Sequence, residues 1–228
     1  GRRKGEKREE ERRKEGEKRE EKERKQEAVE AQKKGIERKT GYAEAHHKRG
    51  RAHDYRSDYD ADLKDQTTAI ELNAKYFEAY SSRSYAHLQR RNFDAAFKDA
   101  SAAIELNPRY AQAYVNRGSV SAMRGKPDMA LEDFNKAIQL NPKLSRAYTT
   151  RAAWYVKRRN WGAAIEDATT AVELDPNDPV PYYVRAAAHA PRGDYDSAWA
   201  DVKACRKLGG KVSPPFLAKL RKASGREE

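Results

Sequence analysis

The sequence predicts an all-α protein, an α-solenoid of helix-turn-helix repeats with a charged helix at its N-terminus and a capping helix at its C-terminus. Three observations predict this fold class. A 34-residue unit recurs in register at 43–76, 77–110, 111–144, 145–178 and 179–212. Within each unit, apolar residues return at helical spacing in two stretches. Hydrophobic residues make up only 37% of the chain, which suits an elongated array with a thin core.

The third unit shows how each repeat is built. Tyr114 and Gly118 lie on one face of a predicted first helix, and Gly125 ends that helix. Pro127 suits the start of a second helix, where its missing N–H is harmless. Pro142 closes the unit, because the residue before a proline is pushed out of the α region. The result is a helical hairpin with one apolar side, which must stack on its neighbours to be stable.

The first 30 residues are almost wholly charged, with 13 Lys or Arg against 11 Glu. Such a stretch cannot bury a core. Glu residues four positions before a cation, as in Glu9 and Arg13, favour a solvated single helix, and a disordered tail is the alternative. An interaction arm for an acidic surface is a third interpretation, which the near balance of sign weakens. We therefore expect residues 1–25 to form a charged, solvent-exposed helix or arm.

Both ends of the array are predicted to be covered. Residues 34–45 align without a gap with 136–147, so we expect 26–42 to form a half-repeat whose helix docks on the first helix of unit one. At the other end, 213–228 is predicted to form a capping helix and a frayed tail. Capping elements are what a repeat array requires for solubility.

These residues resemble the tetratricopeptide repeat family over 43–212, and the resemblance implies a right-handed superhelix. The shared positions are an aromatic residue, a small residue and a closing proline in successive units: Tyr80, Tyr114, Tyr148 and Tyr182; Gly50, Ser84, Gly118, Ala152 and Ala186; Pro108, Pro142 and Pro176. Unit one departs most from the family pattern, because His46, Asp62 and Ala74 replace an aromatic residue, Ala and Pro. How tightly unit one packs is therefore an open question at this point.

The resemblance also implies a non-catalytic protein–protein interaction scaffold, which binds a peptide or a partner protein in the concave groove lined by the first helices. Laid on this sequence, the family's geometry predicts these groove residues: Tyr85, Leu88, Val115, Asn116, Ser119, Met123, Arg146, Thr149, Lys157 and Tyr183. Their chemistry suits a peptide with an apolar anchor and an acidic group. A groove without a specific ligand is the alternative.

Some relatives hold the C-terminal carboxylates of heat-shock chaperones with five Lys, Arg or Asn residues. Two sets of positions correspond to that site here: His47, Arg51, Ser82, Gln112 and Asn116, or Ser81, Tyr85, Asn116, Arg146 and Thr150. Neither set carries the required residue types, so we do not expect this chain to bind chaperone tails.

Two charged series follow the 34-residue period, one of arginine and one of aspartate. Their members are Arg49, Arg83, Arg117, Arg151 and Arg185, and Asp65, Asp99, Asp133, Asp167 and Asp201. Guanidinium and carboxylate groups pair bidentately. We therefore predict a ladder of Arg–Asp pairs that fastens helices together, with solvated charges as the alternative.

A second set of arginines is predicted to form a basic edge along one side of the stack. The edge comprises Arg56, Arg90, Arg91, Arg124, Arg158, Arg159 and Arg192. The simpler interpretation is a solubilising rim whose aliphatic stems pack against the helices. The functional alternative is a basic adaptor that uses this edge and the N-terminal helix to bind nucleic acid or another polyanion. The formal net charge of +12 favours acidic partners without identifying them.

Nothing in the sequence predicts catalysis, and no cofactor or metal is expected. There is no glycine-rich phosphate loop, spaced cysteine cluster or nucleophile motif. His53, His87 and His189 share one slot with Tyr155, so we interpret them as packing substitutes. The single Cys205 occupies an alanine slot and is expected to be an inert core residue.

No apolar run approaches the roughly 18 residues that a membrane span needs, and we expect a cytoplasmic protein. The sequence begins at Gly1 without an initiator Met, which is also compatible with a removed N-terminal signal. The sequence leaves the oligomeric state open.

Overall fold

The computed structural model describes residues 37–54 and 57–226, and within those ranges the chain is helical apart from short connections, with no strand. Helix α1 occupies the described positions 37–54. The other helices are α2 (Tyr59–Leu72), α3 (Phe77–Gln89), α4 (Phe93–Leu106), α5 (Ala111–Met123), α6 (Pro127–Leu140), α7 (Ser145–Lys157), α8 (Trp161–Leu174), α9 (Pro179–His189), α10 (Tyr195–Lys207) and α11 (Pro214–Ser224). None of these helices is long and apolar enough to cross a bilayer.

Consecutive helices pack into a stack. The two helices of a unit pack against each other, as α5 does on α6, and the second helix of a unit also contacts the first helix of the next. The first helices α3, α5, α7 and α9 contact one another in turn, so they form a continuous inner face. Each hairpin therefore buries its apolar side on a neighbour, and the predicted α-solenoid is confirmed.

A residue in the left-handed region closes the turn after the first helix of every unit. These residues are Ser57, Arg91, Gly125, Arg159 and Gly193, with φ between 59° and 79°. In unit three the following amide, that of Lys126, donates to the carbonyl of Ser121 at 2.9 Å, which is the closure of a Schellman motif. Glycine adopts this conformation freely, whereas in each of the two arginines it costs roughly 1 kcal/mol.

Small residues let the two helices of a unit approach closely. A Cβ added at Gly118 would lie 2.8 Å from Phe134 Cε1 and 3.0 Å from the carbonyl oxygen of Ala130. Ala130 is fully buried and Phe134 is 1% exposed. The ring of Phe134 therefore occupies the space that a side chain at position 118 would need.

The described chain begins with a helix that crosses residue 42, the predicted boundary between the half-repeat and unit one. Residues 37–54 form one unbroken helix that passes through Gly41 and Ala43, and positions 37–42 are exposed. A half-repeat ending at residue 42 requires a turn before unit one, and the described residues contain no such turn. Residues 37–42 instead lengthen the first helix of unit one. The predicted charged helix at 1–25, and the rest of the half-repeat, lie outside the described residues.

The C-terminal end is covered by α11. Leu217 and Leu220 are buried in one cluster with Ala186, Ala198 and Val202 of the last unit. Both ends of this helix are capped. The hydroxyl of Ser213 accepts from the amide of Phe216 at 3.4 Å, and Gly225 ends the helix at φ 68°. The last hairpin therefore has a neighbour that buries its apolar side.

Every unit contains one Arg–Asp pair, and each pair joins the two helices of the same unit. In unit three, Arg117 Nε donates to Asp133 Oδ2 at 2.9 Å and Nη2 donates to Oδ1 at 2.7 Å. The side chain of Asp133 is only 6% exposed and that of Arg117 is 26% exposed. The same bidentate geometry recurs at Arg49–Asp65, Arg83–Asp99, Arg151–Asp167 and Arg185–Asp201. The predicted ladder is confirmed.

Unit one replaces apolar packing with a buried polar network. Asp62 and Gln66 are 1% and 0% exposed. Gln66 Nε2 donates to Asp62 Oδ1 at 2.8 Å, and Gln66 Oε1 lies 2.8 Å from His47 Nδ1. A Cβ added at Gly50 would lie 2.4 Å from Gln66 Nε2. Asp62, which stands where the other units have an alanine, is therefore packed tightly, whereas His46 is half-buried and Ala74 is exposed.

The two buried carboxylates of unit one have opposite pKa shifts. Burial raises the pKa of Asp62 to about 6, and the hydrogen bond from Gln66 opposes this rise. The hydrogen bond from Arg49 lowers the pKa of Asp65 to about 2, and burial opposes this shift. Asp62 therefore destabilises unit one when it is ionised, whereas Asp65 stabilises it.

We predict that the Arg117–Asp133 pair is coupled in a double-mutant cycle. Arg117→Ala leaves the carboxylate of Asp133 buried without its partner, so it should lower the free energy of unfolding by about 3 kcal/mol. The measurement is urea unfolding of the wild type, Arg117→Ala, Asp133→Ala and the double variant, with a coupling on the order of 2 kcal/mol expected. The matched control pairs Arg117 with Asp99, which belongs to Arg83, and should show no coupling. Coupling in the control cycle alone would contradict the ladder.

We predict that Asp62→Asn stabilises the protein in a pH-dependent way. Between about pH 4 and pH 6 the folded state binds a proton at Asp62 more tightly than the unfolded state does, so the wild type loses stability as pH rises through this window. The variant lacks this loss, and its gain should reach on the order of 2 kcal/mol at pH 7.5 and shrink toward pH 4. The measurement is unfolding at several pH values. The exposed Glu71→Gln on the same helix is the control, and an equal gain at pH 4 and pH 7.5 would refute the prediction.

Candidate peptide-binding groove

The inner face contains two clefts between the first helices of successive units. The larger, which we call the arginine cleft, has a volume of about 490 Å³, and its charged residues are His47, Arg51, Asp54, Glu78, Arg109 and Arg146. The smaller, which we call the apolar cleft, has a volume of about 290 Å³, and its apolar residues are Leu88, Ala122, Met123, Phe134, Ala153 and Trp154. Both volumes are of the size that holds one or a few side chains of a ligand.

Three arginines and two carboxylates meet around tyrosine rings in the arginine cleft. The guanidinium of Arg146 lies 4.2 Å from the centre of the Tyr85 ring, a cation–π contact. Burial raises the pKa of Asp54, and the charges of Arg146 and Arg51 partly offset that rise. Burial also raises the pKa of Tyr85. Cations outnumber acids in this cleft, so its local field favours a ligand that carries negative charge.

The apolar cleft is built from the C-terminal halves of α3, α5 and α7. Phe134 is 1% exposed and Trp154 is 8% exposed, whereas Met123 on the wall is 47% exposed. Lys157 Nζ lies 4.0 Å from Met123 Sδ. The indole N–H of Trp154 is buried and has no hydrogen-bond partner among the described residues, a loss that costs roughly 1–3 kcal/mol. This cleft can take an apolar side chain and an adjoining polar group.

Seven of the ten predicted groove residues line these clefts. Tyr85, Asn116 and Arg146 line the arginine cleft. Leu88, Ser119, Met123 and Lys157 line the apolar cleft. The structure thus separates the predicted continuous groove into a charged part and an apolar part.

The other three predicted groove residues lie elsewhere. Val115 is 1% exposed in a core cluster with Tyr114 and Ala147, because α7 packs across it. Thr149 is 7% exposed, and its hydroxyl donates to the carbonyl of Ser145 at 3.1 Å. The prediction that these two residues face the groove is wrong.

Tyr183 is used by the capping helix. Its hydroxyl lies 3.1 Å from Ser213 Oγ, and its ring meets that of Phe216 edge to face at 5.6 Å between centres. The capping helix α11 therefore packs on this end of the inner face, and the half-buried Tyr183 forms part of that contact.

Asn116 lines the arginine cleft, but its amide is already bonded. Nδ2 donates to the carbonyl of Ser81 at 2.8 Å and to Ser81 Oγ at 3.1 Å, and Oδ1 accepts from Gln112 Nε2 at 3.2 Å. The residue is 2% exposed. Asn116 therefore links α3 to α5 and fixes the spacing of the two helices under the cleft.

The predicted basic edge is partly neutralised by aspartates of the preceding unit. Arg90 pairs with Asp60 and Arg124 pairs with Asp94, each 30 positions earlier in the chain. Arg226 pairs in the same way with Asp196, at 2.6 Å between Nη2 and Oδ1. Exposed pairs of this kind contribute roughly 0–1 kcal/mol each, and they lower the positive potential of the edge.

The remaining edge arginines have other environments. The guanidinium of Arg158 lies 4.1 Å from the centre of the Trp154 ring. Arg91 and Arg159 occupy the left-handed turn positions, and Arg192 ends a 3-10 turn. Arg56 lies outside the described residues. The structure therefore does not provide a uniform band of free cations.

Sequence reasoning missed two groups of residues. One is the aspartate series of the edge, Asp60, Asp94 and Asp196, which the 34-residue period of the chain would have revealed. The other is the wall of the arginine cleft, which includes Asp54, Glu78, Arg109 and Tyr110. No sequence signal marked the second group, because Arg109 and Tyr110 lie in the connection before α5 rather than on a first helix.

The histidines and the cysteine take structural positions. His53 and His87 each place Nε2 3.9 Å from the ladder aspartate of their unit, and His189 Nδ1 lies 2.9 Å from Asp194. Cys205 is 1% exposed, and burial raises the pKa of its thiol. Among the described residues, no three His, Cys, Asp or Glu side chains are grouped as metal ligands.

The fold and the inner face define an α-solenoid repeat protein. The tetratricopeptide repeat family model matches residues 111–144. Residues 111–144 therefore match a tetratricopeptide repeat, and the resemblance predicted from the sequence is confirmed for this unit. A comparison with curated protein sequences finds no significant match.

Several solved structures have a similar fold, and two of those named below, TTC0263 and YrrB, are described as tetratricopeptide repeat proteins. TTC0263 of Thermus thermophilus is 18% identical, with a TM-score of 0.69 over 79% of this chain and 98% of that protein. Pseudomonas aeruginosa pilF is 16% identical, with a TM-score of 0.67 over 82% of this chain and 89% of that protein. YrrB is 15% identical, with a TM-score of 0.52 over 85% of this chain and 97% of that protein. Similarity at this level of identity shows the fold alone.

We predict that Tyr183→Ala weakens the attachment of α11. The substitution removes the hydrogen bond to Ser213 and the ring contact with Phe216, so it should destabilise the C-terminal end by about 3 kcal/mol. Limited proteolysis and thermal unfolding measure the effect, and cleavage should appear first near 209–214. Tyr182→Ala, on the same helix, is the control for loss of a neighbouring aromatic ring. Unchanged protease resistance in the Tyr183 variant would disprove the assignment.

Proposed function

We propose that this protein is a non-catalytic scaffold that binds a peptide segment of a partner protein along its inner face, across α3, α5 and α7. The observation that carries the proposal is the presence of two clefts of different chemistry on that one face, built by the first helices of successive units. A peptide that crosses both clefts meets an apolar site and a positively charged site. Such a surface recognises a short segment with one apolar anchor and one acidic group.

The tetratricopeptide fold supports a protein-binding role of this kind. YrrB, which has the same fold, is described as a tetratricopeptide protein with an unusual peptide-binding site. The inner face also has the rigidity that peptide recognition needs, since Asn116 bridges α3 and α5 through Ser81. A preformed site costs less ordering on binding than a flexible one.

The alternative of a polyanion-binding adaptor has weaker support. Two of its arginines, Arg90 and Arg124, are paired with aspartates. Binding of nucleic acid would instead require several unpaired cations along one face.

The test is selection of peptides from a random displayed library on the intact chain, followed by fluorescence anisotropy with each selected peptide. Arg146→Glu reverses a charge on the wall of the arginine cleft and should weaken the selected peptides by roughly tenfold. Lys136→Glu makes the same change in charge on α6, outside both clefts, and should leave their affinity unchanged. Circular dichroism checks that both variants are folded.

Two results would overturn the proposal. One is that no selected peptide distinguishes Arg146→Glu from Lys136→Glu. The other is that single-stranded RNA binds at low salt, is released as salt rises and competes with every selected peptide, which would favour the adaptor.

A further inference from the structure

The second helix of the last repeat, α10, departs from the 34-residue period at three positions near its C-terminal end. Slots that hold neutral polar, apolar and mostly acidic residues in units one to four hold Lys203, Arg206 and Lys207 in unit five. The residues replaced are, slot by slot, Thr67, Ser101, Asn135 and Thr169; Ile70, Ile104, Ile138 and Val172; and Glu71, Glu105, Gln139 and Glu173. Helix ends do not require this change, because α2, α4 and α8 carry no basic residue in their last turn.

The first of these slots joins neighbouring repeats elsewhere in the stack. Thr67 and Thr169 each accept a hydrogen bond at 3.2 Å from Nη1 of the next unit's ladder arginine, 16 positions later in the chain. The residue 16 positions after Lys203 is Lys219 of α11. A hydrogen-bond donor and its acceptor are thus replaced by two cations. This end of the array therefore lacks the polar contact that joins one repeat to the next, and it carries positive charge instead.

A cleft of about 470 Å³ lies along the same part of α10. It is lined by Trp199, Ala200, Val202, Lys203 and Arg206. The indole N–H of Trp199 donates to Ser224 Oγ at 3.1 Å, so the half-buried ring is held where α10 meets α11. A fixed aromatic ring beside cations is the combination by which proteins stack a nucleobase and contact its phosphates.

The sequence around this cleft is basic without interruption. Residues 203–226 contain five Lys, three Arg and no Asp or Glu, so this segment contributes eight of the formal net charge of +12. Two nearby aspartates have other partners, since Asp196 pairs with Arg226 and Asp201 with Arg185. No carboxylate of the described chain forms an ion pair with the exposed side chains of Lys203, Lys207, Lys219 and Lys222. We call these four lysines, together with Trp199 and Arg206, the C-terminal basic surface.

The composition of this surface favours one class of partner. None of the large apolar side chains that are exposed in the described residues lies within 203–226, so the surface has no side chain of the kind that inserts into a lipid bilayer. A second copy of this chain has the same net charge of +12 and would be repelled. Single-stranded nucleic acid offers both phosphates for the lysines and a base face for Trp199.

We propose that the C-terminal basic surface binds single-stranded nucleic acid, with a base stacked on Trp199 in the cleft and phosphates on Lys203 and Lys207. This surface lies outside both clefts of the inner face and contains no residue of the basic edge. The inference therefore goes beyond the proposed scaffold function and does not depend on it. A chain with both sites would hold a peptide along its inner face and a nucleic-acid strand at its C-terminal end.

The experiment measures binding of the intact chain to a fluorescein-labelled oligouridylate of about twelve nucleotides by fluorescence anisotropy. Contact with three or four phosphates should make the affinity fall by roughly twenty- to fiftyfold as salt is raised from about 50 mM to about 200 mM. An abasic strand with the same number of phosphates should bind about tenfold more weakly, because it cannot stack on Trp199.

Two double variants with equal net charge test the position of the site. Lys203→Glu with Lys207→Glu should weaken binding by at least about tenfold and flatten its dependence on salt. Lys98→Glu with Lys136→Glu changes two exposed lysines on α4 and α6, outside the surface, and should retain both the affinity and the salt dependence. Circular dichroism and thermal unfolding check that both variants are folded.

The proposal is overturned if the two double variants bind the oligonucleotide equally, or if the abasic strand binds as tightly as the complete one. Displacement of the oligonucleotide by vesicles that contain phosphatidylserine would also overturn it and would make a membrane the partner. Failure of the scaffold function gives different results. Peptides selected on the inner face should not displace the oligonucleotide, and Arg146→Glu should still bind it. Loss of oligonucleotide binding in Arg146→Glu alone would place the nucleic acid in the arginine cleft and refute this inference.

Discussion

The close approach of the two helices in each unit is the constraint on which the rest of this structure depends. It requires a position such as Gly118, where the ring of Phe134 leaves no room for a side chain. Once the helices are this close, Arg117 and Asp133 lie within reach of a bidentate pair, and the carboxylate is nearly buried. The pair then restricts how the helices slide past each other. A small residue and an Arg–Asp pair thus act together in every unit to hold its two helices close.

Stacking leaves the inner face free to differ from unit to unit. The ladder residues, which join the two helices of each unit, keep the same type at 34-residue intervals. Residues on the inner face do not: Tyr85 and Ser119 hold the same slot in successive units, and they line different clefts. The residues that recur every 34 positions therefore specify the fold, and the residues that differ from unit to unit specify the chemistry of the inner face. The two clefts differ because the residues that vary between units are grouped by chemistry. Charged residues line one cleft and apolar residues line the other.

The sequence was sufficient to predict the repeats, the ladder and the capping helix, because each depends on contacts that recur at a fixed spacing. It did not decide whether Arg117 pairs within its unit or with Asp99, since both lie at plausible positions along the chain. It also misplaced Val115, and it did not show that Tyr183 contacts the capping helix. Whether a side chain reaches the groove depends on the neighbouring helix that covers it, α7 for Val115 and α11 for Tyr183. Which helix packs over a given side chain depends on how the units stack, and the repeat pattern alone does not give that arrangement.

Unpaired charge is the most informative departure from the period. Seven arginines of this basic chain have a structural pairing: five form the ladder, and Arg90 and Arg124 of the edge pair with an aspartate of the preceding unit. Net charge alone is therefore a poor guide to what the protein binds. Arg146 and Arg158 differ from these in distance, because their guanidinium groups lie 4.2 and 4.1 Å from the centres of the Tyr85 and Trp154 rings, closer than the described ladder arginines lie to any ring. Of the two, Arg146 lines a cleft, and its charge there is one that a ligand can meet.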